Sequence, residues 1–64
     1  GYRIYSDGST IRLNLTSDTG RYDLYWVDIK SGEVKKDKQQ IRGNNQININ
    51  NPEGKAVVAW LVRK

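Results

Sequence analysis

The chain has 64 residues and contains neither cysteine nor histidine. Without cysteine it forms no disulfide, and without His or Cys a structural zinc site is not expected. No apolar run approaches the ~18 residues that a membrane-crossing helix needs; the longest is Ala56-Val57-Val58-Ala59-Trp60-Leu61-Val62. No membrane partner is expected. A 3.6-residue apolar period long enough for a helix is missing too, as is any internal repeat. Apolar residues make up 36% of the chain, below the usual 45–50% or so, although that figure also counts Gly. A domain this small buries only about 60% of the surface its unfolded chain exposes. Its stability therefore comes from a thin core alone, which leaves two readings: a piece of a longer protein that docks on a neighbouring domain, or a marginal free domain. The lack of a leader segment decides nothing about location.

What the sequence does contain is a series of short alternating runs separated by turn chemistry. Asp7-Gly8 supplies a type I′ signal between Tyr2–Ser6 and Ser9–Leu15, and the spacing predicts a hairpin with Tyr5 opposite Thr10, Ile4 opposite Ile11, Arg3 opposite Arg12 and Tyr2 opposite Leu13. Tyr2, Ile4, Ile11, Leu13 and Leu15 then share a core face, and Arg3, Tyr5, Thr10, Arg12 and Asn14 share a polar one. Thr16 to Gly20 reads as a polar loop. Arg21 to Asp28 carries apolar residues on both faces, which predicts a central strand. Ile29-Lys30-Ser31-Gly32 turns the chain, with Gly32 in a left-handed conformation, and Glu33 to Lys36 returns beside the third strand with Val34 opposite Val27 and Lys35 opposite Trp26. Asp37 to Asn45 reads as a loop anchored by Ile41. Gln46 to Asn50 is a short strand with Ile47 and Ile49 inward; Asn51-Pro52-Glu53-Gly54 turns; and Lys55 to Val62 is a second central strand. The fold class that follows is all-β, a small antiparallel β-sandwich or open barrel of about six short strands.

Catalysis needs a nucleophile, base or metal held in a cleft, and only Asp7, Asp18, Asp23, Asp28, Glu33, Asp37 and Glu53 are available as acids or bases. Most lie in turns, where Asp7 and Asp28 cap the backbone through their side-chain oxygens. No catalytic residue, cofactor or metal ligand is expected, and the domain is not read as an enzyme. Tyr2, Tyr22, Trp26 and Trp60 are read as core aromatics. Tyr5 stands apart, because the hairpin register exposes it beside Arg3 and Arg12; these three are the candidate ligand contacts, suited to stacking on a sugar ring or a base. Asn14-Leu15-Thr16 matches the glycosylation pattern. The net charge of +4 is uneven, with three basic and four acidic residues over 1–29 against eight and three over 30–64. Lys35, Lys36, Lys38 and Arg42 are read first as protection of exposed strand edges, and second as a contact for nucleic acid or acidic polysaccharide.

Over nearly its whole length the chain resembles the small C-terminal β-domain, labelled collagen-binding, that follows the catalytic barrel of apiosidase-like bacterial glycoside hydrolases. The matching positions are Tyr5 and Gly8 in a Tyr-x-x-Gly turn; Ile11, Leu13 and Leu15 in an aliphatic strand; Trp26, Asp28, Ser31 and Gly32 in the Trp-x-Asp-x-x-x-Gly turn; and Pro52 with Val57 to Leu61 at the close. Ile29 stands where that family usually has Pro, and Val57 where it has Trp. The resemblance implies a single accessory domain over residues 1–64, the C-terminal part of a secreted bacterial glycoside hydrolase. Its partner would be the upstream catalytic β/α-barrel of the same chain, with polysaccharide as a further contact, in an extracellular or periplasmic location. The alternative function class is a small basic β-barrel that binds nucleic acid, and an extracellular adhesion module is close to the first reading in its physics.

Overall fold

A computed structural model describes residues 1–17 and 19–64; Asp18, which falls in the expected polar loop, lies outside the described residues. Six antiparallel strands form two sheets: β1 (Tyr2–Ser6), β2 (Ile11–Asn14), β3 (Arg21–Asp28), β4 (Val34–Arg42), β5 (Gln46–Ile49) and β6 (Val57–Arg63). The first sheet has the order β1-β6-β3-β4, and the second pairs β2 with β5. No helix occurs among the described residues.

Alternation decides which side chains meet between the sheets. Tyr22, Leu24 and Trp26 of β3, Val57, Ala59 and Leu61 of β6, and Ile41 of β4 are buried, and they face Ile11 of β2, Leu15 just beyond it, and Ile49 of β5. The register Ile11 to Ile49 and Leu13 to Ile47 puts the four aliphatic residues of the small sheet on one face, so pairing and burial reinforce each other. β3 and β6 are the two inner strands of the larger sheet, as their apolar residues on both faces require.

The expected β1–β2 hairpin does not form. β1 pairs with β6 and β2 with β5, so Asp7-Gly8 carries the chain from one sheet to the other. The local reason is visible in the backbone: a type I′ turn needs positive φ at both central residues, and Gly8 has φ 118° while Asp7 does not enter that region. Side chains pin the corner instead. Ser9 N–H donates to Asp7 Oδ1 at 3.1 Å, and the buried Ser6 hydroxyl donates to Ser9 O at 2.9 Å. Ser6 Oγ also accepts from Asn51 Nδ2 at 3.2 Å, which ties the corner to the β5–β6 loop. The non-local reason is burial: β6 is more apolar than β2, and the separation keeps Arg3 from standing opposite Arg12.

Two further expectations are corrected. Asp37 to Asn45 is not a loop throughout, because β4 runs on to Arg42. Its alternation is broken by a bulge, where β3 moves from Tyr25 to Asp23 while β4 moves from Lys36 to Gln40. Ile41 is buried as an anchor all the same. Trp60 and Tyr2 are not core residues: Trp60 is half-buried on the outer face of the larger sheet, and Tyr2 is 37% exposed, its ring edge-on to buried Tyr22 at 5.5 Å. The β3–β4 turn matches its sequence signal, with Gly32 at φ 75° and its N–H donating to Asp28 O at 2.8 Å.

Candidate docking surface

The residues of β3 and β6 that alternate with the core project from the opposite side of the larger sheet. Register arranges them in two rows. Tyr5, Val58, Val27 and Val34 lie side by side across β1, β6, β3 and β4, and Arg3, Trp60, Tyr25 and Lys36 form the next row. The first row is apolar from edge to edge, with Tyr5 62% and Val34 50% exposed. In the second row the Tyr25 and Trp60 rings are 5.6 Å apart and tilted by 44°. The Arg3 guanidinium stands 5.4 Å from the Trp60 ring centre, a cation–π contact. Between the rows lies a shallow depression of about 350 Å³ lined by Arg3, Val27, Val34, Val58 and Trp60. Ile29, in the turn just beyond β3, is exposed as well.

The three residues singled out from the sequence are not one cluster. Arg3 and Tyr5 share this outer face, whereas Arg12 lies on β2 opposite Asn48, as it must once the hairpin is lost. Tyr5 and Arg12 do both border an open cleft of about 400 Å³ at the corner between the sheets, with Ile4, Thr10 and Ile11. Trp60, Tyr25, Val58 and Val34 complete the outer face. Their signal was present in the sequence as apolar residues on both faces of β3 and β6, but nothing local tells which face of a central strand is covered.

Several of the charged groups are engaged structurally. Lys35 Nζ lies 3.2 Å from Glu53 and 3.6 Å from Glu33; Lys36 lies 3.7 Å from Asp23, and Lys64 lies 3.9 Å from the same carboxylate. Asp37 accepts the Trp26 indole N–H at 2.8 Å. Of the expected basic cluster, Lys38 and Arg42 have no ion pair among the described residues. No group of three His, Cys, Asp or Glu side chains among the described residues is placed to hold a metal ion.

Asp28 is the most strongly perturbed acid among the described residues. Its Oδ2 accepts from Lys55 Nζ at 2.7 Å, and its Oδ1 accepts the backbone N–H groups of Lys30 and Ser31. The lysine hydrogen bond first, and the two turn amides next, lower its pKa from 3.8 to about 2. A carboxylate held below its unfolded pKa stabilises the fold above that unfolded value and loses the contribution as pH falls through the folded one. The melting temperature is therefore expected to hold steady at neutral pH and to decline between 3.8 and about 2. Asp28→Asn should make that acid decline shallower, and an unchanged decline in the variant would remove Asp28 from the account.

Comparison with family models, curated proteins and solved structures finds no match to this chain.

Proposed function

We propose that this chain is a non-catalytic accessory β-domain that docks through the outer face of its larger sheet on a neighbouring domain of the same polypeptide. The observation that carries the reading is the row Tyr5-Val58-Val27-Val34, which runs from one sheet edge to the other without a polar residue. Contiguous exposed apolar surface marks an interaction site, and each large apolar side chain that a partner fully covers contributes about 1.5–3 kcal/mol. The sequence resemblance supplies the specific version: the neighbour is the catalytic β/α-barrel of a secreted bacterial glycoside hydrolase, which the domain stabilises or helps to meet polysaccharide, outside the cytoplasm.

The competing reading is nucleic-acid binding by the basic stretch of β4. Ion pairing of Lys35 and Lys36 with Glu33, Glu53 and Asp23 argues against it, because a phosphate must then displace an existing carboxylate. Titration with single-stranded DNA at 0.15 M salt is expected to give nothing tighter than the generic ~10⁻⁴–10⁻⁶ M. In the isolated domain, where the outer face is uncovered, contact with a neutral polysaccharide should be weak, insensitive to salt and dependent on Tyr5 or Trp60, since stacking and neutral hydrogen bonds release no counterions. Submicromolar, steeply salt-dependent DNA binding would replace the accessory reading with the nucleic-acid one.

A further inference from the structure

We propose that the exposed edge of β1 pairs with β1 of a second copy of this chain, joining the two four-stranded sheets in an antiparallel register centred on Ile4. This does not depend on what the outer face meets. The two edges of the larger sheet are built differently. β4 carries Lys35, Lys36 and Lys38 and a bulge opposite Tyr25 and Asp23, the devices that prevent strand addition. β1 is less protected: Tyr2-Arg3-Ile4-Tyr5-Ser6 is regular, with no Lys, Pro or bulge and a single charge, Arg3, which is held against the Trp60 ring. An open cleft of about 400 Å³ lies beside its Ile4 and Tyr5, so β2 does not close the edge.

The register follows from the side chains. Directly opposed residues in an antiparallel pair share a face, so two copies whose cores lie on the same side of a joined sheet must pair with an even sum of residue numbers. Centring on Arg3 opposes the two guanidinium groups, and centring on Tyr5 leaves Tyr2 and Arg3 without a partner strand. Centring on Ile4 pairs all of β1, with Tyr2 opposite Ser6, Ile4 opposite itself, and Arg3 opposite Tyr5 in both directions. The last pair is self-complementary. Arg3 already lies 5.4 Å from the Trp60 ring centre, and in the dimer its other side meets the second copy's Tyr5, the ring that is 62% exposed in the single chain. The outer row of one copy then continues into that of the other.

The interface is small, below the ~1,200 Å² typical of weak complexes, so association is expected between about 10 µM and about 1 mM. Sedimentation equilibrium of the chain at 0.15 M salt, which screens the mutual charge beyond about 8 Å, should show the average mass rising from 7.4 kDa toward twice that value. Tyr5→Lys places a lysine opposite Arg3 and should weaken the dimer by about tenfold or more, one decade being about 1.4 kcal/mol. Arg3→Glu combined with Tyr5→Lys restores opposite charges across the axis and should recover the dimer. Isotope-filtered NMR on the unmutated chain, mixed from labelled and unlabelled copies, should give intermolecular contacts between Arg3 and Tyr5. A chain that stays monomeric at 1 mM or so, a dimer indifferent to Tyr5→Lys, a double variant that does not recover, or filtered spectra without the Arg3–Tyr5 contact would each overturn the proposal.

Discussion

Replacing Trp26 by Ala is expected to remove most of the domain's stability, whereas replacing Trp60 by Ala should remove far less. Trp26 is 4% exposed within the sandwich and donates its indole N–H to Asp37. Its removal leaves a cavity and an unpaired half-buried carboxylate, at a cost of about 3–5 kcal/mol for the cavity alone. A domain of this length holds roughly 3–10 kcal/mol in total. Trp60 is half-buried on the outer face, so its loss removes less buried surface and the cost should be about half that of Trp26 or less. Urea denaturation of both variants checks the difference. Equal costs would mean that Trp60 belongs to the core and that the outer face lacks the surface the docking proposal uses.

The second large effect concerns the attached domain. Val34→Glu together with Val58→Glu puts two charges in the apolar row, and in the isolated domain they change little beyond strand propensity, a scale that spans about 1 kcal/mol. In the proposed longer polypeptide the same charges would have to be buried unpaired against the neighbour. The unmodified domain should melt higher when attached than when alone, by about 4–8 °C for each kcal/mol of docking energy in a domain this size. The double variant should erase that difference. An attached domain that melts as the isolated one does, with or without the charges, would leave the accessory reading without its physical basis.

Local signals carried much of this structure. The bounds of β3, the Gly32 turn with Val34 opposite Val27, and the inward residues of β5 were all readable, because each depends on side chains a few positions apart. Three features were not. β1 and β2 are joined by good turn residues yet pair elsewhere, since burial of Ile11 and Leu13 against Ile49 and Ile47 is a long-range choice that turn chemistry does not encode. The length of β4 was hidden because a polar edge strand with a bulge lacks regular alternation. The side of the sheet that Trp60 occupies was hidden for a related reason: on a strand apolar on both faces, parity separates two sets of residues but does not say which set meets the second sheet. For the candidate site, Tyr5 and Arg3 were legible as outward residues, while Arg12 was joined to them only through the hairpin that does not form.

The central claim is that the outer face of the larger sheet is covered by a neighbour, and residue-resolved hydroxyl-radical footprinting tests it most directly. Trp60 and Tyr25 sit on the two inner strands of that sheet, with their rings 5.6 Å apart on the outer face. Buried Trp26 serves as the internal reference. In the isolated domain Trp60 and Tyr25 should be oxidised readily and Trp26 slowly; in the longer polypeptide Trp60 and Tyr25 should become protected while Trp26 stays as it was. Labelling of Trp60 and Tyr25 that is the same in both would contradict the account.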